Sequence, residues 1–306
     1  MTLTELRYVV AVARERHFGR AAEACFVSQP TLSVAIKKLE QELGVALFER
    51  GTGEVSVTPV GQTIVEQAQR VLEEASRIRD LAAIGHDPLA GNLRLGAIYT
   101  VGPYLLPRLV AILRRTVPAM QLYLQESFTH RLAELLKQGE VDVIIVALPF
   151  DEPGCETLAV YDEPFVVAMP AGHAWEKRRQ ISAEELKKES LLLLGEGHCL
   201  RDQVLEFCRP AGRGGLARSL EGGSLETIRQ MVASGVGITV LPSTAVSHDG
   251  AAEDLIRIRP FAKPVPLRRI ALAWRKSFPR PQAIEAIRRA ILACELTGVT
   301  RLTPPP

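Results

Sequence analysis

No apolar run in this chain approaches the roughly 20 residues needed to span a bilayer. Its first residues, Met1-Thr2-Leu3-Thr4-Glu5, lack the basic start and apolar stretch of a signal peptide. The expected location is cytoplasmic. Cysteine is scarce: Cys25, Cys155, Cys199, Cys208 and Cys294 make an odd count with no CxxC pair. In a reducing compartment this argues against a structural disulfide framework, and leaves a transient, redox-sensing disulfide as the alternative. None of the five has the spacing of a zinc site. GxGxxG, Walker A, GxSxG and HExxH patterns are missing as well, so neither an enzyme nor a bound metal or cofactor is expected. Aromatic residues are only 5% of the chain, so Leu, Val, Ile and Ala must fill its cores.

What is present is ordered along the chain. At about 150 residues per domain, 306 residues suggest two or three domains. Thr2 followed by Glu5 fits a capping box, and Leu3, Leu6, Val9, Val10 and Ala13 recur at helical spacing. A second short helix is expected over Arg20–Cys25. A third runs from the N-cap Ser28, with Pro30 in its first turn, to Gly44 just past its end. Leu32, Ile36 and Leu39 would face inward. Two short helices with a tight turn read as helix-turn-helix. Val45–Val57, with Gly51 and Gly53 between two short apolar runs, reads as a two-stranded wing. Residues 1–58 thus form one domain, and a long helix follows over 59–84. In it Ile64, Ala68, Val71, Ala75, Ile78 and Ala82 alternate spacings of four and three, the a/d seam of a dimerising coiled coil. Gly85–Gly91 is a hinge.

From Asn92 to Pro306 strands and helices alternate, which implies mostly parallel sheets with helices on both faces. Strands are expected at Leu93–Ile98, Leu122–Gln125, Val141–Ala147, Phe165–Met169, Leu191–Leu194, Ile238–Leu241 and Ile270–Trp274. Helices are expected at Pro107–Arg115, His130–Gln138, Ala183–Lys188, Leu225–Ala233 and Gln282–Leu296. So long a stretch suggests two subdomains with a cleft, I over 92–163 and 268–306, II over 164–267.

The N-terminal third contains Phe18-Gly19-Arg20-Ala21-Ala22, Val27-Ser28-Gln29-Pro30-Thr31-Leu32-Ser33 and Ile36-Lys37-Lys38-Leu39-Glu40. Leu43-Gly44, Leu47-Phe48-Glu49-Arg50 and Thr58-Pro59-Val60-Gly61 continue the run. In these stretches it resembles the LysR family of transcriptional regulators. The resemblance implies a winged helix-turn-helix, a linker helix and an α/β effector domain of two subdomains, like a periplasmic binding protein. It also implies promoter DNA and RNA polymerase as partners, and coiled-coil dimers that pair into tetramers. A recognition helix places its first turn in the major groove, so Gln29, Thr31 and Ser33 would reach base edges while Ser28 caps and Pro30 starts the helix. Arg50 would meet backbone or minor groove and Lys37 or Lys38 a phosphate, although a solvated helix face suits either Lys equally well. Charge is a mild counter-argument. Residues 1–58 carry seven Lys/Arg and seven Asp/Glu, whereas phosphate affinity follows positive charge. Cys25 reads as core packing.

A second stretch, Gly195-Glu196-Gly197-His198-Cys199-Leu200-Arg201-Asp202-Gln203, follows an apolar strand, opens a helix and reaches Cys208. Ligands of open α/β sheets bind at the carboxyl ends of strands, which puts Cys199 at a helix N-terminus in the crevice. Helix dipole and nearby Arg201 favour the thiolate, the species that reacts with peroxide. Thr100 and Thr129 also follow strands and precede helices, so their hydroxyls should face the same crevice; a strand-end hydroxyl and an N-cap are their plainer readings. If Cys199–Cys208 is one helix, the sulfurs lie about 13.5 Å apart along its axis. A disulfide needs Cα atoms within about 7 Å, so bonding the two requires refolding. The segment is similar to the redox-active segment of peroxide-sensing LysR members. That similarity implies Cys199 as the cysteine oxidised first and Cys208 as the one that resolves it. It implies peroxide contacts for Thr100, Thr129 and His198, and a thiol reductant for reset. Arg268 or Arg269 would help position the oxidant, and the sequence does not choose between them. Cys155 reads as a loop residue and Cys294 as part of the last helix's apolar face. The rival readings are a LysR-type regulator holding a small organic acid in the same crevice, and an enzyme with Cys199 as catalytic thiol.

Overall fold

The computed structural model describes residues 1–50, 55–84, 89–187, 189, 191–208, 221–246 and 253–302. The chain forms two compact units, Met1–Gly85 and His86–Pro306. No helix among the described residues is long and apolar enough to cross a membrane.

In the first unit, α1 (Leu3–Glu15) begins with the expected capping box: Glu5 N donates to Thr2 Oγ1 and Thr2 N to Glu5 Oε2. Helix α2 (Phe18–Ala24) starts two residues before expectation. His17 caps it, Nδ1 accepting from Gly19 N at 3.0 Å and Arg20 N at 3.2 Å, and histidine is outside the usual capping set. Helix α3 (Gln29–Leu43) has Ser28 as N-cap and Gly44 in the left-handed region, φ 70°, as C-cap. Leu32, Ile36 and Leu39 lock it onto Val9, Val12 and Ala21. Strands β1 (Phe48–Arg50) and β2 (Val55–Val57) pair antiparallel as the wing; its tip, including Gly51 and Gly53, lies outside the described residues.

Helix α4 (Pro59–Ile84) is tied to the wing by Thr58, whose Oγ1 donates to Ala46 O and accepts from Gly61 N. Of the expected seam, Ile64 is half-buried and Ala68 buried in this unit, whereas Val71 and Ile78 are exposed; the side chain of Ala82 is outside the described set. The hinge expected over 85–91 falls mostly on residues outside the described ones, 85–88.

The second unit contains β3 (Gly91–Ile98), α5 (Gly102–Thr116), β4 (Met120–Ser127), α6 (Thr129–Lys137), β5 (Val143–Ala147) and β6 (Cys155–Pro170). It continues with α7 (Ala183–Leu186), β7 (Leu191–Leu194), α8 (Cys199–Cys208), β8 (Glu221–Gly222), α9 (Leu225–Ala233) and β9 (Ile238–Pro242). It ends with β10 (Ile256–Pro260), β11 (Leu267–Arg275), α10 (Pro281–Ala293) and β12 (Thr300–Arg301). One ten-stranded sheet runs β4-β3-β5-β11-β6-β9-β7-β8, with β10 and β12 also on β6.

The expected parallel sheets are mixed. Pairs β3/β4, β3/β5, β7/β9 and β7/β8 are parallel, but β11 is antiparallel to both β5 and β6, and β6 to β9. The reason is the crossing between lobes. The first half of β6 pairs with β11, Cys155 opposite Arg275; its second half pairs with β9 and β10. An outgoing strand and a returning strand side by side must run in opposite directions. Lobe I packs around Leu95, Leu109, Ile144, Leu272 and Ile287, and lobe II around Phe165, Val167, Leu192, Val232 and Val240.

Cys155, expected in a loop, opens β6; the acids Glu156, Asp162 and Glu163 mask that half of the strand in the sequence. Pro107, expected to begin a helix, sits inside α5, which starts at Gly102.

Of the described glycines in the first unit, Gly61 is the most closely crowded. A Cβ there would stand 2.2 Å from the Leu47 carbonyl oxygen, backbone that cannot swing aside. Gly61→Ala is therefore expected to destabilise the unit by about 1–3 kcal/mol. Urea denaturation measures this, and an unchanged midpoint contradicts the crowding.

Candidate functional site

Helix α8 begins on Cys199 and ends on Cys208, and neither thiol is in a disulfide. Leu200, Val204 and Cys208 are buried in the lobe II core. Cys199 is half-buried and packs against the lobe I core. One helix therefore roots its two cysteines in different cores, with nine residue steps, about 13.5 Å, between them. Burial pushes the Cys208 thiol up to about 12.

Three strand ends meet beside Cys199. The rings of Tyr99 and Phe128 stand 5.2 Å apart, those of Phe128 and His198 4.8 Å, and those of Tyr99 and His198 6.0 Å. Each of these residues is followed directly by a candidate: Thr100 after β3, Thr129 after β4, Cys199 after β7. The aromatic cluster thus joins, from distant stretches of sequence, the residues that directly precede the two threonines and the cysteine. Burial holds the His198 imidazole below its ordinary pKa, opposed by its hydrogen bond to the Gly223 backbone.

The N-cap of α6 is Phe128, and Thr129 is the first helical residue, so Thr129 is not the cap. Its Oγ1 is buried without a hydrogen-bond partner among the described residues. Gln203, four residues after Cys199 and so on the same helix face, donates from Nε2 to Leu148 O at 3.4 Å. Its Oε1 is also buried and has no partner among the described residues. The sequence displays this i, i+4 relation, yet no role was expected of Gln203.

The structure separates the two arginines by strand alternation. Arg268 points inward with no side-chain exposure. It donates to Glu163 Oε2 at 2.7 Å, Thr100 Oγ1 at 2.9 Å and Thr100 O at 3.0 Å. Arg269 is exposed and forms a two-pronged pair with Asp162 at 2.7 and 2.8 Å. Glu163 is equally buried and also accepts from Thr244 N at 2.9 Å and from the Thr244 hydroxyl. Sequence reasoning missed Glu163: it meets Arg268 only through the β6/β11 register.

In the first unit, Gln29, Pro30, Thr31, Lys37 and Lys38 are exposed and Ser33 is half-buried. Ser28 Oγ is engaged as the cap, accepting from Thr31 N at 3.3 Å and sharing a hydrogen with Thr31 Oγ1 at 2.8 Å. Arg50 ends β1 opposite Val55.

Residues 3–62 match the model of the bacterial regulatory helix-turn-helix protein, lysR family, and residues 86–293 match the LysR substrate binding domain. The chain belongs to the LysR family of bacterial regulators. Within the family it is 41% identical to the DNA-binding transcriptional dual regulator OxyR of Escherichia coli, over 96% of this chain and 95% of that one. Full-length OxyR of Pseudomonas aeruginosa, a cysteine-to-aspartate variant, aligns with a TM-score of 0.77 at 55% identity, covering 97% and 99% of the two chains. A hydrogen-peroxide-bound cysteine-to-serine OxyR from Corynebacterium glutamicum aligns at 0.64 and 33% identity, covering 95% and 91%.

Two outcomes follow for stability. Glu163→Ala leaves the Arg268 charge buried and unpaired, an expected loss of about 3–5 kcal/mol in urea denaturation. A loss below about 1 kcal/mol, that of an exposed pair, would mean the network carries little. For Cys208, the unfolded thiol ionises near 9 while the folded one stays protonated to about 12. Unfolding then releases a proton, so the stability this thiol contributes is present below pH 9 and declines as pH rises toward 12. Cys208→Ala should flatten that decline between pH 8 and pH 10, and equal slopes in variant and wild type would refute the assignment.

Proposed function

We propose that this chain is a cytoplasmic, DNA-binding transcriptional regulator that senses hydrogen peroxide through Cys199 and Cys208. The observation that carries the reading is α8, with one cysteine at each end and each in a different core. The Cys199 thiolate attacks one peroxide oxygen, the O–O bond breaks, and hydroxide leaves to become water, giving a sulfenic acid. The Cys208 thiolate then attacks that sulfur and displaces a second water. Two thiols are oxidised to one disulfide and one peroxide is reduced to two waters. Because the bond is shorter than the helix, its formation unwinds α8 and draws one cysteine from its core.

Thr129 Oγ1 and Thr100 Oγ1 supply hydrogen bonds to the oxidant beside His198. Of the two arginines, Arg268 takes the positioning role, because it already holds Thr100 and Arg269 faces solvent. Gln29, Thr31 and Ser33 read bases, Lys37 and Arg50 meet the DNA backbone, and Ser28 and Pro30 set the start of α3. The functional division is 1–58 for DNA, 59–84 for dimerisation, 85–91 as hinge and 92–306 for sensing. Exposed Val71 and Ile78 on α4 support coiled-coil dimers, which pair into tetramers. RNA polymerase is the downstream partner and a cytosolic thiol reductant resets the switch.

The test is stoichiometric peroxide on the reduced full-length protein, followed by differential alkylation and peptide mapping. Loss of two thiols with a Cys199–Cys208 crosslinked peptide is expected. Five free thiols would remove peroxide as the signal. They would turn attention to an organic acid in the cleft of about 790 Å³ lined by Phe165, Gln203, Phe207, Arg268 and Arg269. Cys199→Ser should keep DNA binding and abolish the peroxide response; a full response in that variant is incompatible with the mechanism.

A further inference from the structure

The aromatic residues Tyr8, Phe18 and Phe48 of the first unit are buried, but Phe26 is 95% exposed. Its backbone is also unusual, with φ 57°, in the left-handed region where a bulky residue is an outlier and glycine fits freely. The turn itself is required by the fold. Cys25 caps α2, Phe26 N donates to Glu23 O and Val27 N to Ala22 O, each at 3.0 Å, closing the helix before α3 begins. Left-handed geometry is therefore fixed at this position, yet neither the local conformation nor packing among the described residues accounts for a phenyl ring. Strain that the fold does not need points to a use outside the protein.

Position identifies that use. Phe26 lies two residues before Ser28, the cap of α3, whose outward face presents Pro30, Val34, Lys37 and Lys38. Val34 is itself 68% exposed, a second apolar group on this face. The exposed ring thus lies two residues from the cap of the helix whose exposed face would meet the major groove. Among the base edges displayed there, the apolar feature is the thymine C5-methyl group.

We propose that Phe26 reads sequence: its ring packs on a thymine methyl next to the bases met by the first turn of α3. The proposal rests on α3 being the recognition helix. Phe26 adds apolar contact without charge, which suits a head whose basic and acidic residues cancel.

The test uses reduced full-length protein and a duplex operator obtained with it by in vitro selection. Phe26→Gly removes the ring and relieves the backbone, so its melting temperature should hold or rise. Its affinity for the operator should fall roughly tenfold, the equivalent of about 1.4 kcal/mol. The slope of log affinity against log salt should not change, because no phosphate contact is lost. Replacing each thymine in turn by deoxyuridine deletes only the methyl. Wild type should lose affinity at one position per half-site, and Phe26→Gly should be indifferent there. Unchanged affinity of Phe26→Gly, or deoxyuridine losses that are the same in both proteins, overturns the proposal. Gln29→Ala, measured alongside, separates the two ideas: if it weakens binding while Phe26→Gly does not, α3 remains the reader and Phe26 is not part of it.

Discussion

A disulfide joins Cα atoms within about 7 Å, and α8 holds its two cysteines about 13.5 Å apart along its axis. While the helix stands, the bond is impossible; once the bond exists, the helix cannot. Everything else around the site makes that exclusion consequential. Leu200 and Val204 fix α8 to lobe II, each burial worth roughly 1.5–3 kcal/mol, so unwinding is opposed until a covalent bond offsets it. Cys208 sits in the same core with its thiol held protonated, and so is a poor nucleophile as long as it stays there. In the proposed mechanism, leaving the core and becoming reactive are one event.

The two lobes are coupled at the same place. Glu163 accepts from Thr244 of lobe II and pairs with Arg268, whose other arms hold Thr100 of lobe I. Tyr104 of α5 adds a second tie, donating to Glu226 of α9 at 3.0 Å. The group proposed to position oxidant at Thr100 is thereby continuous with the seam between the lobes. In the proposed switch, remodelling of α8 would act on a seam whose ion pair is buried and has no solvent to fall back on.

The sequence made the first unit legible almost residue by residue, because capping, periodicity and glycine stops are local. Thr2, Glu5, Ser28, Pro30 and Gly44 mark helix ends through contacts within a few positions. It failed where the cause was unusual or distant. His17 caps with an imidazole, Pro107 is tolerated inside α5, and the front half of β6 is polar because its acids pair with β11. In the site, the cysteine spacing was legible and so was the placement of Thr100 and Thr129 at strand ends. Glu163 was not, since 105 residues separate it from Arg268. The choice between Arg268 and Arg269 needed only the inward or outward sense of one strand, which an alternating pair of like residues cannot reveal.

The neutral head constrains how the proposed switch acts. Seven basic and seven acidic residues over 1–58 leave little general pull on a phosphate backbone. A single head of this kind gains its affinity from directed contacts, and several heads linked in one oligomer multiply it only if their spacing matches the DNA. In the proposed switch, heads with so little general pull on the backbone would make geometry decisive. A signal that changes the spacing of heads shifts occupancy and operator choice without touching any base-reading side chain. On this view the charge balance of the head, the exposed Val71 and Ile78 of α4 and the oxidisable helix α8 are parts of one design: a sensor that controls DNA by arrangement rather than by the chemistry of its reading face.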